Sequence, residues 1–237
     1  MITSKTNSHL TEIRKLAHAS ARSRSGRFVA EGEDLNEAAY AARITPLYVL
    51  AAQGFEGARG AGWLEVAPEL LASVSTIAQG ARVVGVYEQR WEDPKGPLAV
   101  ALWGVGDPGN VGTVIRAAHA FGSDCVALGP RCADPYGPKA VRASMGAIFA
   151  VTIARFDAVS QLPGTVVALD AAAPEPLRGP ASGELTLLIG PERGGLPIEA
   201  LAGCSELRSI PQVAGDSLNA AMAATIALYE VTRMAAG

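Results

Sequence analysis

Residues 98–122 constrain what this chain can fold into more than any other stretch. LAVALW (98–103) is a continuous apolar run that reads as a buried strand. A Pro/Gly turn follows, then a segment of helical period, so that 107–122 reads DPGNVGTVIRAAHAFG. Asn110 stands where a helix N-cap is expected. Arg116 lies in the second turn, beside the small residues Ala117, Ala118 and Ala120. A polar side chain at a strand's carboxyl end, with a cation a turn or two later, is a common way to build a site on an open α/β sheet.

The same alternation runs on to the C-terminus. Strands and helices are expected over 98–103, 111–121, 125–128, 139–145, 148–153, 165–170, 185–189, 207–210 and 217–234, with a loop over 171–183. Such alternation predicts a mostly parallel sheet with helices on both faces. Upstream, a basic helix is expected over about 11–21, a strand at 27–30, a helix over 33–42, a strand at 47–51, a loop over 54–62, a helix starting at 68–74 and a strand at 83–87. WEDPKGP (91–97) has two prolines, charge and no periodicity, and reads as a linker. The domains expected are therefore 1–90 and 98–237. No internal repeat is visible.

A length of 237 residues and a formal net charge of −3 fit a globular chain with a sizeable core. No apolar stretch is long enough to span a bilayer, and the opening MITSKTNSH carries no apolar signal core. The expected location is cytoplasmic. Cys125, Cys132 and Cys204 show no paired spacing and read as reduced thiols, with no metal site or disulfide frame. In residues 1–27, Lys5, Arg14, Lys15, Arg22, Arg24 and Arg27 are opposed only by Glu12. That cluster reads either as a solvated helix face or as a footprint for phosphate contact.

GVGDPG (104–109) spells the nominal dinucleotide fingerprint GxGxxG. Two features oppose that reading. Pro108 removes an N–H from the loop that would cradle a pyrophosphate. The next strand ends in Gly129-Pro130, with no carboxylate placed to hold a ribose diol, although Arg131 stands where a 2′-phosphate would need a cation. No GxxxxGK[ST] loop occurs.

The 107–122 stretch resembles the first motif of the SpoU (TrmH-like) family of RNA ribose methyltransferases, in the SPOUT superfamily. LLIGPERGGL (187–196) is similar to its second motif, and SIPQ (209–212) with DSLNAAMAATIALYE (216–230) to its third. KAVRASMG (139–146) fits the pattern between the first two. FVAEG (28–32) and QGAR (79–82) resemble parts of the small α/β substrate-binding domain that often precedes SpoU catalytic domains.

The resemblance implies an α/β fold: a C-terminal trefoil-knotted SPOUT domain preceded by a small α/β substrate-binding domain. It implies S-adenosylmethionine as cofactor, held at Leu169, Gly190, Ile210 and Leu218. The family tends to have a small or polar residue where Pro191 stands. The implied catalytic set is Asn110, Arg116, Glu192, Ser217 and Asn219, acting on a ribose 2′-hydroxyl. The implied partners are RNA, ribosomal or transfer, with the separate N-terminal domain favouring ribosomal, and a second copy of the chain across the alanine-rich 217–234 helix; no metal is implied. Arg14, Lys15, Arg22, Arg24, Arg27 and Arg142 are the RNA-contact candidates, and Ser144 beside Arg142 fits a phosphate contact or a loop-fixing role. Read without the family, Glu192 is a helix-start acid, Ser217 and Asn219 are caps, and the 190–196 loop is a glycine-rich turn. The competing functions are methylation of an RNA base by the same fold and a silent RNA-binding or assembly factor. A nicotinamide-dependent dehydrogenase is the third.

Overall fold

A computed structural model describes residues 1–57, 62–77, 80–214 and 217–233. Residues 58–61 of the expected 54–62 loop, Gln79 of the QGAR stretch, Asp216 of the third-motif stretch and residues 234–237 lie outside the described residues. The chain divides into two compact units.

The first unit comprises Met1–Gln89 and Asp134–Phe149. Its four-stranded sheet has the order β1-β4-β2-β3, from β1 (Arg27–Glu31), β2 (Tyr48–Ala52), β3 (Trp63–Val66) and β4 (Val83–Glu88). β4 is antiparallel to both neighbours, whereas β3 runs parallel to β2. The single basic helix expected over 11–21 is two helices, α1 (Ser8–Leu16) and α2 (Ala19–Ser25). His18 between them is extended, at φ −95° and ψ 133°. The Arg22 guanidinium donates to the carbonyls of Leu16 and Ala17 at 2.8 and 2.9 Å, satisfying the end of α1 that the break exposes. α1 buries Leu10, Ile13 and Leu16 against Val29, Leu50, Val84 and Val86 of the sheet. The helices α3 (Glu33–Ala41) and α4 (Pro68–Ala72) complete the N-terminal part.

The sequence assigns 134–149 to the second domain, yet it packs with the first unit. Arg22 pairs with Asp134 at 2.7 Å, and the Phe28 ring lies 4.8 Å from Tyr136 and 5.8 Å from Phe149. This segment carries α6 (Pro138–Ala143). Gly146, at φ +89°, sits where a Cβ would come within 2.4 Å of the Ala38 Cβ, so α3 closes on bare backbone there.

The second unit comprises Arg90–Ala133 and Ala150–Gly237. Its six strands are β5 (Leu98–Leu102), β6 (Cys125–Leu128), β7 (Thr152–Arg155), β8 (Thr165–Leu169), β9 (Leu185–Ile189) and β10 (Glu206–Arg208). They form one parallel sheet of order β10-β8-β9-β5-β6-β7. β9 is buried along its whole length and β5 over four of five residues, as a sheet covered on both faces requires. The strand expected at 148–153 is a short 3-10 turn, Ala147–Phe149, followed by β7. α5 (Pro108–Ala120), α7 (Ile198–Leu201) and α8 (Ala220–Thr232) flank the sheet. α8 lies along α5 and buries Ala220, Ala221, Ala224, Ala227, Leu228 and Val231. Its last turn closes against the 179–181 loop, where Ala181 N–H donates to the Val231 carbonyl at 2.9 Å. A Cβ on Gly179 would stand 1.7 Å from the Glu230 carbonyl oxygen, so only glycine permits this approach.

Candidate active site

The site grows out of two helix starts. Asp107, not Asn110, caps α5: its carboxylate accepts from the Asn110 N–H at 3.0 Å. Pro108 takes the first helical position, where its missing N–H has no partner to lose. Asn110 is thereby one turn inside the helix, and its side chain is released from capping. At the other start, Asn219 caps α8, its Oδ1 accepting from Ala221 N–H at 2.9 Å and Met222 N–H at 3.3 Å.

These caps orient a cluster drawn from three distant segments. Because Asn219 Oδ1 is committed to two backbone donors, its Nδ2 must face outward, and it donates to Asn110 Oδ1 at 3.1 Å. That turns Asn110 Nδ2 toward Glu192, and it donates to Glu192 Oε1. Glu192 Oε1 also faces the Ala220 N–H at 3.4 Å, and Ser217 Oγ donates to the Glu192 carbonyl at 3.3 Å. Asn110, Glu192, Ser217 and Asn219 therefore meet at one place. Among the described residues, Glu192 Oε2 has no donor.

Arg116 does not join them. It stands six residues after Asn110, about 240° further round α5 at 3.6 residues per turn. Its side chain is exposed and makes no hydrogen bond or ion pair among the described residues.

Leu169, Gly190 and Ile210 follow or close β8, β9 and β10, which are adjacent in the sheet, so their positions fall side by side at its carboxyl end. Leu169, Ile210 and Leu218 are half-buried apolar side chains. A Cβ on Gly190 would lie 3.0 Å from Leu196 Cγ and 3.1 Å from Leu196 N. Its smallness thus lets the 190–196 loop fold back on itself, a reason the bare sequence does not reveal. Burial pushes the thiols of Cys125, Cys132 and Cys204 up, so none is poised as a nucleophile. Among the described residues no group of three or more His, Cys, Asp or Glu is placed to hold a metal, and no helix is long and apolar enough to cross a membrane.

In the first unit, the basic candidates separate. Arg14, Lys15 and Arg24 are exposed. Arg27 pairs with Glu12 at 2.7 Å. Arg22 is 5% exposed and spends its guanidinium on Asp134 and two helix-end carbonyls, so it is not available to phosphate. Arg142 donates to Thr76 Oγ1 and lies 4.0 Å from Glu31, a buried carboxylate that also accepts from Ser75 Oγ, Thr76 N–H and Thr76 Oγ1. Arg142 thus ties a loop, and Ser144, fully buried, donates to the Val141 carbonyl. The sequence reading missed both Asp107 and Glu31. An Asp immediately before Pro at a helix start is a signal that would have found the first.

The model of the SpoU rRNA methylase family matches residues 97–229, more than half of the chain. An uncharacterized tRNA/rRNA methyltransferase of Mycobacterium bovis is 34% identical over 178 residues, covering 68% of this chain. The chain spans only 55% of that relative's length. A 23S rRNA (uridine(2479)-2′-O)-methyltransferase of Streptomyces viridochromogenes is 32% identical over 191 residues, covering 72% of this chain and 67% of that protein. Among solved structures, an AdoMet-bound rRNA methyltransferase from Sinorhizobium meliloti superposes with a TM-score of 0.87 at 33% identity, covering 97% of this chain and 96% of that one. The chain belongs to the SpoU rRNA methylase family, and its α/β fold with a parallel sheet is the SPOUT fold.

Proposed function

We propose that this chain is a cytoplasmic, S-adenosylmethionine-dependent methyltransferase that acts as a homodimer on the ribose 2′-hydroxyl of ribosomal RNA. The observation that carries it is the convergence of Asn110, Glu192, Ser217 and Asn219 at the ends of two helices. The half-buried apolar faces of Leu169, Ile210 and Leu218, around the bare backbone of Gly190, fit a purine and its ribose. When bound, the cofactor supplies an electrophilic methyl carbon on a positively charged sulfur.

The chain's own task is to place and activate a weak nucleophile in line with that carbon. Positioning alone is worth roughly 7–11 kcal/mol at its extreme. Glu192 Oε2 accepts from the attacking hydroxyl while Oε1 stays tied to Asn110, and Asn219 and Ser217 hold that carboxylate and its backbone still. A guanidinium is a fixed cation in proteins, so Arg116 is given no role as a base. It grips the target phosphate and offsets the negative charge that develops on the ribose oxygen. The first unit, with Arg14, Lys15 and Arg24 outward, binds RNA. The dimer reading is supported by α8: Met222, Ile226 and Tyr229 are 57%, 41% and 58% exposed at a spacing that makes one apolar stripe. The closure of α8 on the 179–181 loop supports the knotted topology of the family.

The test is a map of 2′-O-methyl positions across total RNA from cells with and without the gene, with nucleoside analysis of the RNA. Loss of one 2′-O-methylated nucleotide in ribosomal RNA is expected. Loss of a methylated base, or of a mark in transfer RNA, would redirect the assignment. No change at all in either map would leave the silent RNA-binding reading.

A further inference from the structure

We infer that Arg131 and Arg193 form a phosphate-binding subsite for RNA that flanks the cluster at Asn110 and Glu192, Arg193 being the residue next to Glu192; this rests on the reading of the chain as an RNA methyltransferase. Arg131 follows β6 and Arg193 follows β9, two strands separated in the sheet by β5. Both nevertheless line one open cleft of about 370 Å³, with Gly104 of the post-β5 loop between them. The rest of the lining is glycine and proline, with no carboxylate. Both arginines are exposed, and neither has an ion pair or hydrogen bond among the described residues, whereas Arg22, Arg27, Arg142, Arg208 and Arg233 are all paired.

Two uncompensated guanidiniums at one concavity concentrate positive potential there, and the planar fork of each matches a phosphate. The backbone points the same way. Arg131 adopts φ 61°, a left-handed conformation that side chains with a Cβ avoid, in a turn fixed by the Ala133 N–H on the Val105 carbonyl at 2.9 Å. Gly194 and Gly195 are also left-handed, at φ 82° and 62°, and their amides have no acceptor among the described residues. Free amides in such a turn add donors for an anion. The cleft lies on the β5–β6 side of the 190–196 loop. The cofactor candidates Leu169 and Ile210 lie on its β8–β10 side, so the anion taken here is a phosphodiester of the RNA, not the cofactor's carboxylate.

The test uses the full chain, with deproteinised bacterial ribosomal RNA as probe, titrated across a KCl series. Arg131→Gly and Arg193→Gln should each flatten the slope of log affinity against log salt by about 0.7–1, and the double variant by the sum. S-adenosylmethionine affinity by calorimetry should stay at the wild-type value. Arg131→Gly should keep or raise Tm, because glycine suits the left-handed turn. Arg178→Gln, an exposed charge elsewhere on the same unit, should leave the salt slope unchanged, and the charge-preserving Arg131→Lys and Arg193→Lys should keep it at the wild-type value. Wild-type slopes in the double variant overturn the subsite. Loss of cofactor affinity gives the cleft to the cofactor and also overturns it. A flattened slope in the lysine variants means that packing, not charge, was disturbed, and it overturns the subsite as well. If wild type itself fails to bind ribosomal RNA, the proposed function falls, and the subsite with it.

Discussion

Arg22 and Arg24 stand two positions apart in the basic arm and do different work. Arg24 is exposed, and its side chain donates to the Ser20 carbonyl at 3.3 Å. Arg22 is interior, and its guanidinium serves Asp134, Leu16 and Ala17 at once. Asp134 is 32% exposed, so removing Arg22 leaves a partly solvated carboxylate and two helix-end carbonyls without their donor, at roughly 1–3 kcal/mol. Arg22→Ala should therefore lower stability by that order in denaturant titration, while Arg24→Ala should stay within about 0.5 kcal/mol and weaken RNA binding instead. Equal stabilities would show that Asp134 is content without its partner. Charge spacing alone cannot separate the two, because what distinguishes them is an aspartate 112 positions away. Asn110, by contrast, was legible as a candidate but not in its placement: Asp107 and Asn110 are both competent caps, and only the proline between them decides for Asp107. Arg116→Ala should abolish methyl transfer in single-turnover assays and leave the cofactor dissociation constant nearly unchanged. Lysine there should rescue poorly, lacking the fork that grips phosphate at two points. A normal rate in Arg116→Ala would remove it from the chemistry; a lost cofactor would instead assign it to the cofactor pocket.

Among the elements, α8 is where composition decides least. Its alanines fit close packing against the sheet and equally a surface for close approach of a second subunit. In the structure Ala220, Ala221, Ala224 and Ala227 face inward, with Ala224 and Ala227 fully buried, and the outward stripe is Met222, Ile226 and Tyr229. Both faces are apolar, so periodicity has no contrast from which to assign them. The distinction has a test. Ile226→Arg should yield a folded monomer in sedimentation, with Tm lowered only by the lost association. Ala224→Arg should prevent folding, since a buried charge without a partner costs several kcal/mol. A folded, monomeric Ala224→Arg together with a dimeric Ile226→Arg would exchange the two faces. β3 escaped notice for a related reason. Its four residues are ordered by pairing with β2, in a register of Val49 with Trp63, and little in WLEV itself demands a strand. The parallel sheet was legible because β5 and β6 are continuous apolar runs and β9 is broken only by Thr186, a pattern that few other elements of that length produce.

At the scale of the whole molecule, a contiguous reading cannot see that 134–149 leaves the second unit to pack with the first. Cutting the chain at 98 would therefore expose Tyr136, Ala140 and Val141, and the arm before Arg27 cannot be deleted either, because Leu10, Ile13 and Leu16 are core. Function has to be dissected by substitution in the intact chain, and the arrangement of the sites in the proposed dimer can be dissected that way. Asn110 faces the Glu192 cluster of its own chain, while Arg116, about 240° round the same helix, contacts nothing in it. The far end of α5 abuts the outward stripe of α8, where the Phe121 ring meets Tyr229 edge-on at 6.3 Å. In the proposed dimer, a guanidinium turned from its own cluster, on a helix that borders the dimer face, would serve the partner's cluster. If each site joins Asn110 of one subunit to Arg116 of the other, then Asn110→Ala and Arg116→Ala chains, each inactive alone, complement on mixing. Every heterodimer then holds one site with both residues intact. Random pairing makes about half the dimers mixed, so refolding an equimolar mixture should recover about a quarter of wild-type methyl transfer. If Arg116 serves its own subunit, every heterodimer site carries one lesion and the mixture stays as inactive as its parents, a result that would reject the shared site.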